Sequence, residues 1–117
     1  MVLWIDHEHA KIFNFKSEEP EISHFANRHH STAHQAKEKS EHLSQFYHEV
    51  HDKVLNAKGL LIVGPGVAKR EFKTYLEDHH SNGLNKAVLG LESMDKATDG
   101  EIKNLAKKFF HKFNLFH

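Results

Sequence analysis

An apolar run that ends abruptly in glycine and proline constrains this chain more than any other feature. The run is Leu60-Leu61-Ile62-Val63, and Gly64-Pro65-Gly66 follows it directly. An uninterrupted apolar run of this length is typical of a strand buried on both faces of a sheet. Because glycine and proline interrupt it and Lys69-Arg70 follow in an amphipathic segment, we expect a sharp strand-to-helix corner. Such corners are characteristic of α/β domains, which place ligands at the carboxyl ends of their strands.

Short β-type segments precede this run. Residues 2–5 and 11–15 flank the polar sequence Asp6-His7-Glu8-His9, which predicts two antiparallel strands joined by a turn in which Asp6 shapes the hairpin. After Pro20, residues 21–25 alternate polar and apolar side chains, as an edge strand does. The first part of the chain is therefore predicted to be a three-stranded meander.

Amphipathic segments predict three helices. The first starts at a capping box formed by Thr32 and Gln35, or at Ser40, and stops before Gly59. The second runs from the glycine corner to Ser81-Asn82-Gly83, and the third starts at a capping box of Thr98 and Glu101. The predicted core faces are Leu43, Phe46, Tyr47, Val50, Val54 and Leu55; Val67, Ala68, Phe72, Tyr75 and Leu76; and Ile102, Leu105, Ala106, Phe109, Phe110 and Phe113.

Residues 86–91 complete the pattern as a fifth strand, so the predicted order is β-β-β-α-β-α-β-α. Right-handed crossover helices return the chain in the same direction, which makes the later strands parallel. The 117 residues are enough for one core, so residues 1–117 are expected to form a single domain. The predicted fold class is α/β, with the ribonuclease-H-like order of elements, a mixed five-strand sheet and three layers.

Composition excludes several functional classes. Lys plus Arg and Asp plus Glu are balanced at 16 each, so polyanion binding would have to be local, although 13 His residues add positive charge below neutrality. With no Cys, disulfides and thiolate metal sites are excluded. No apolar run approaches a membrane span and the first residues are unlike a signal peptide, so we expect a soluble cytoplasmic protein without a membrane partner.

Three segments together carry a family resemblance. They are Val2-Leu3-Trp4-Ile5-Asp6-His7 with Ala10-Lys11-Ile12-Phe13, then residues 60–66 with Ala68-Lys69 and Phe72, then Thr98-Asp99-Gly100-Glu101-Ile102. Over essentially the whole chain, the sequence resembles bacterial translational machinery proteins related to the middle domain of archaeal and eukaryotic release factors and Pelota. The resemblance implies association with the ribosome or its RNA.

The same resemblance also marks a difference from true release factors. Those proteins carry a Gly-Gly-Gln loop between the third strand and the first long helix. The corresponding residues 27–35 contain one glutamine and no glycine. Because paired glycines reach backbone conformations that other residues adopt only at a cost, peptide release is not carried over to this chain.

Basic residues in two places are candidates for RNA phosphate. Free amides and the dipole at the start of the second helix favour an anion there, although Pro65 supplies no amide and a purely structural turn is the alternative. The stretch after residue 27 is locally the most basic, and a solvated loop is its alternative. The candidates are Arg28, His29, His30, His34, Lys37, Lys39, Gly64, Gly66, Lys69 and Arg70.

Histidines and carboxylates raise two further hypotheses. Pairs at helical or turn spacing are candidate ligands for zinc, copper or nickel, with solvated surface histidines as the alternative; they are His7, His9, His30, His34, His48 and His51. A metal-dependent nuclease would use Asp6 with Glu38, Glu41 or Glu49, but no acid ends the fourth strand. No recognised metal-site spacing occurs, so no resident metal and no cofactor are predicted.

The leading hypothesis from sequence is a non-catalytic, ribosome- or RNA-associated protein related to translation. The alternative is a histidine-rich metal- or pH-responsive binding protein, and a third is a metal-dependent nuclease or other hydrolase. The aromatic tail, residues 109–117, cannot all face one core, so Leu115 or Phe116 is also a candidate contact between two copies of the chain, with burial within the monomer as the alternative.

Overall fold

A computed structural model describes residues 1–16, 19–27, 36–79, 83–95 and 97–112, with the backbone alone for 36–42 and 111–112. A 3-10 turn, Leu84–Ala87, precedes the last strand. The strands are β1 (Val2–Ile5), β2 (His9–Asn14), β3 (Glu21–Ala26), β4 (Leu60–Gly64) and β5 (Val88–Ser93), and the helices are α1 (Ala36–Val54), α2 (Ala68–His79) and α3 (Asp99–Lys112).

The five strands form one mixed sheet in the order β3-β2-β1-β4-β5. β1, β2 and β3 pair antiparallel as a meander, whereas β1, β4 and β5 run parallel. The register sets Trp4 of β1 beside Lys11 on one side and Val63 on the other. The α/β class and the mixed five-stranded sheet predicted from the sequence are confirmed.

Two hydrophobic cores lie on opposite faces of the sheet. On one face, Leu3 and Ile5 of β1 pack with Phe46 of α1 and Phe72 of α2. On the other, Val2 and Trp4 pack with side chains of α3, among them Ile102, Ala106 and Phe110. Because each face of β1 and β4 is covered, every residue of both strands is buried, which is why their sequences are continuously apolar.

The predicted capping box starts α3. The amide of Glu101 donates to the hydroxyl oxygen of Thr98 at 3.2 Å, and the amide of Thr98 donates to Oε1 of Glu101, also at 3.2 Å. This reciprocal pair satisfies backbone donors that the first helical turn leaves without intrahelical acceptors. The corresponding box predicted at Thr32 and Gln35 lies outside the described residues.

Three local predictions were wrong. Val67 precedes α2 and is 56% exposed, and Leu55 follows the end of α1 and is 54% exposed, so neither belongs to a core face. Both lie just beyond a helix end, where the helical period no longer directs side chains toward the sheet. β5 begins at Val88, because the 3-10 turn holds Lys86, whose amide donates to the carbonyl of Gly83 at 3.1 Å.

The aromatic end of the chain is partly accounted for by the α3 core. Phe110 is 3% exposed, and Phe109 packs beside it against the same core. Residues 113–117, including Phe113, Leu115 and Phe116, lie outside the described range. None of the helices within the described ranges is long and apolar enough to cross a membrane.

Candidate functional site

The carboxyl ends of β1 and β4 are adjacent because these strands pair in parallel. The turn at residues 6–8 follows β1, and the corner at residues 64–67 follows β4 and leads into α2. We call this region the β1–β4 edge. In α/β sheets, loops at the carboxyl ends of parallel strands are the usual place for binding residues.

Asp6 organises the turn at the β1–β4 edge. Its Oδ1 accepts hydrogen bonds from the amides of Glu8, at 2.7 Å, and His9, at 2.6 Å. The amide of Asp6 donates to the carbonyl of His9 at 3.0 Å, which closes the hairpin. The residue therefore shapes the turn, as expected from the sequence, and does not join a group of three metal ligands within the part of the chain that the structure describes.

A polar network links this turn to both helices on the same face. Nε2 of His7 and the hydroxyl of Tyr47 both contact Oε1 of Glu71, at 2.6 Å and 2.8 Å. A carboxylate oxygen only accepts, so both neighbours donate their protons to it. Burial, the hydrogen bond to Glu71 and the charge of that carboxylate raise the pKa of Tyr47 far above its ordinary value. The network fixes the β1 turn against α1 and α2.

The two glycines of the corner serve different purposes. Gly64 has φ 151°, and a Cβ at this position would overlap the carbonyl oxygen of Ile5 and lie 3.1 Å from its carbonyl carbon. Gly66 has φ 58°, in the left-handed region, but no neighbour lies within 4 Å of an added Cβ. Close strand approach therefore requires glycine at Gly64, whereas local turn conformation favours it at Gly66.

The candidate phosphate residues of the corner differ in accessibility. Lys69 is 4% exposed, and its Nζ donates to the carbonyl of Gly66 at 2.6 Å. Its ammonium group therefore stabilises the turn and is covered from solvent. Arg70 is exposed. The carbonyl of Val67 accepts from the amides of Arg70 and Glu71, at 3.0 Å each, which marks the first helical turn and the positive end of the helix dipole.

Asn27, which precedes the basic stretch, lies beside the same edge. Asn27 is 8% exposed; its amide donates to the carbonyl of Glu8 at 2.7 Å, and its Nδ2 donates to the carbonyl of His7 at 2.9 Å. The chain therefore leaves β3 anchored to the β1 turn. Arg28, His29, His30 and His34 lie outside the described residues, and Lys37 and Lys39 lie in the first turns of α1, where only the backbone is described.

A second cluster lies on α1 near its end. Oδ2 of Asp52 is 3.6 Å from Nε2 of His48, and Oδ1 is 3.2 Å from Nδ1 of His51. The two imidazole rings are stacked, with centroids 6.2 Å apart and planes inclined by 19°. The hydroxyl of Tyr75, on α2, lies 3.3 Å from Nδ1 of His48. Burial and the charge of Asp52 raise the pKa of Tyr75.

One of the predicted histidine pairs is adjacent in the structure and another is not. His48 and His51 are brought together, as their spacing predicted. His7 contacts Glu71 of α2, whereas His9 lies beside His24 of β3 with ring centroids 5.3 Å apart, so these two do not converge. The pair formed by His30 and His34 lies outside the described residues.

Sequence reasoning missed Asp52, Glu71 and Tyr47 as site residues. Asp52 had a local signal, because it lies four residues after His48 and such positions share a helical face. Glu71 and Tyr47 had no such local signal. Glu71 contacts His7 and Tyr47 only because α1 and α2 pack side by side on the sheet.

Comparison with known proteins defines the fold. No family model matches the sequence, and no curated protein matches it significantly. Among solved structures, the crystal structure of Pelota from Archaeoglobus fulgidus matches with a TM-score of 0.62 and 17% identity, over 92% of this chain and 30% of that chain. The present chain thus spans under a third of that protein's length. The resemblance to Pelota inferred from the sequence is supported at the level of the fold.

Proposed function

We propose that this protein is a non-catalytic, translation-related domain that associates with the ribosome by contacting RNA phosphates at the β1–β4 edge. The observation that carries the proposal is the shared fold with Pelota over 92% of the chain. The sequence resemblance to release-factor middle domains, a class that acts on the ribosome, supports the same assignment.

The arrangement of basic groups supports phosphate binding at this edge. Arg70 is exposed on the first turn of α2, where backbone amides and the helix dipole favour anions. The basic stretch from Arg28 to Lys39 directly follows Asn27, which is hydrogen-bonded to the β1 turn. We assign phosphate contact to Arg70 and to the stretch (Arg28, His29, His30, His34, Lys37 and Lys39), with Gly64 and Gly66 shaping the corner and Lys69 bracing it.

The proposal excludes peptide release as the function. Residues 27–35, which occupy the place of the release-factor loop, contain no glycine. Side chains in that segment restrict the backbone conformations by which a glycine pair approaches its substrate closely. The segment is instead assigned to RNA binding, in which its positively charged side chains contact phosphates.

Co-sedimentation with purified ribosomal subunits at several salt concentrations tests the proposal. We expect binding at low salt that weakens as salt rises, because phosphate contacts release counterions. Replacing both Lys37 and Lys39 by Gln should weaken binding. Each lysine that binds a phosphate of single-stranded RNA should contribute about 0.7 to the slope of log K against log salt, so the double variant should show a shallower slope. Arg70→Gln should act in the same direction.

A matched control is available on the opposite face of the sheet. Lys107 and Lys108 are exposed on α3, and replacing both by Gln changes the net charge as much as the double Lys37 and Lys39 variant does. This control should leave ribosome binding unchanged. Equal weakening in both double variants would show that binding depends on net charge and not on the β1–β4 edge, which would contradict the assigned contacts. Failure of the unmodified protein to sediment with ribosomes at low salt would refute the proposed function.

A further inference from the structure

We propose that His48, His51 and Asp52 form a binding site for a divalent transition metal of the zinc class. Each supplies one ligand atom, and the three atoms all lie within 4.8 Å of one another. It is the only such group among the side chains that the structure describes. The site lies on α1 and uses none of the residues assigned to RNA, so it stands independently of the proposed function.

The ligand atoms of the cluster are near enough to one another for a metal ion to draw them together. Zinc bonds of ~2.0–2.1 Å in tetrahedral geometry separate neighbouring ligand atoms by about 3.3 Å. Oδ1 of Asp52 is 3.2 Å from Nδ1 of His51, Oδ2 of Asp52 is 3.6 Å from Nε2 of His48, and one ligand atom from each residue lies within 4.8 Å of the other two. Side-chain rotations that shorten the longest of these spacings would place one ion between the three groups.

The donor set selects the class of metal. Two imidazoles and one carboxylate suit zinc and its first-row neighbours, whereas calcium and magnesium prefer oxygen ligands throughout. Three protein ligands leave a tetrahedral ion with one further position for water or another ligand.

The protein holds one ligand firmly and leaves the others adaptable. His51 is 7% exposed, so its ring is fixed by packing beneath the helix. The side chains of His48 and Asp52 are each 60% exposed, which gives an ion access from solvent. All three lie within the regular part of α1, at positions i, i+3 and i+4, and so project from neighbouring parts of its surface.

Tyr75 is the positioning residue of the site. Its hydroxyl lies 3.3 Å from Nδ1 of His48 and can accept a hydrogen bond from that nitrogen. In that tautomer, Nε2 of His48 carries no proton. Its lone pair is therefore free to bind a metal ion on the side of the ring that faces Asp52. Histidine ligands in metal sites generally donate their second ring N–H to a fixed acceptor in this way.

Isothermal titration of the whole protein with Zn²⁺ tests the site. We expect one saturable site per chain, abolished in His48→Gln and in Asp52→Asn. Both positions are exposed, so these variants should keep the fold, which thermal unfolding checks. Tyr75→Phe keeps the ligands and should weaken zinc binding about tenfold, as removal of an outer hydrogen bond to a ligand does.

His24→Gln is the matched control. His24 is exposed and pairs with His9, with ring centroids closer together than those of His48 and His51. It should retain the full zinc affinity. Co²⁺ provides a second readout, because visible absorption of a tetrahedral complex should appear at one equivalent in the unmodified protein and be absent in Asp52→Asn. Zinc binding without a stoichiometric plateau, or equal affinity in His48→Gln, Asp52→Asn and the control, would overturn the proposal.

Discussion

Replacing Gly64 by alanine probes the contact that determines the β1–β4 edge. A Cβ at Gly64 would overlap the carbonyl oxygen of Ile5, an atom of the neighbouring strand's backbone. No side-chain rotation relieves this overlap, so β1 and β4 must separate or the corner must shift. The residue also has φ 151°, a conformation that alanine adopts only under strain.

The expected cost follows from these two effects. Overpacking of a well-packed site costs ~1–3 kcal/mol, and an unfavourable backbone conformation costs ~1–3 kcal/mol more. Gly64→Ala should therefore reduce the free energy of unfolding by about 2–6 kcal/mol, a large part of the ~5–15 kcal/mol typical of a domain. At roughly 4 °C per kcal/mol, the melting temperature should fall by about 8–24 °C.

Gly66→Ala is the control for the same corner. Its φ of 58° also disfavours alanine, but an added Cβ meets no atom within 4 Å. We expect a decrease of only about 1–2 kcal/mol, the cost of the left-handed conformation. Urea unfolding followed by circular dichroism compares the two. Equal decreases in both variants would contradict the explanation, since they would show that strand proximity contributes nothing at Gly64.

Three further changes test the remaining contacts. Thr98→Ala should cost about 1 kcal/mol in urea unfolding because Glu101 loses its capping partner; an unchanged midpoint would contradict the cap. Tyr47→Phe should also cost about 1 kcal/mol by the same measurement, since the phenol is buried while Glu71 is exposed enough to regain water; a gain in stability would contradict this. Burial lowers the pKa of the Met1 amino group from 8.0 to about 6, so between these values unfolding takes up a proton and stability should rise with pH. The gain should be about 1–2 kcal/mol after allowing for partial solvent screening and should vanish on acetylation of that amine; identical pH profiles with and without acetylation would contradict it.

The features that depend on near neighbours in the chain were predicted from the sequence. The run from Leu60 to Val63 indicated a strand buried on both faces, and Thr98 with Glu101 indicated the start of α3. Both are local: a strand's burial is recorded in its own residues, and a capping box needs only four consecutive positions. The same local reasoning placed His48 and His51 together, because three residues bring side chains to one side of a helix.

Local patterns failed where an element ends. Val67 and Leu55 continue the apolar period of α2 and α1, yet both are exposed because the helix does not extend to them. Lys69 was likewise expected to be a cation available to phosphate, but the turn at Gly66 offers it a carbonyl at 2.6 Å and its side chain is covered. A period records which residues are apolar, not where the backbone leaves the helix.

The order of strands and helices, the two-sided burial of the central strands, the cap at Thr98 and the turn at Asp6 thus follow from the amino-acid sequence alone. Three arrangements are visible only in the folded chain. His7 and Tyr47 both contact one carboxylate oxygen of Glu71, and Tyr75 of α2 contacts His48 of α1. The carbonyl of Ile5 leaves no room for a side chain at Gly64. These contacts join residues separated by tens of positions. Their geometry is fixed by how the helices pack on a twisted sheet, which no short stretch of sequence specifies.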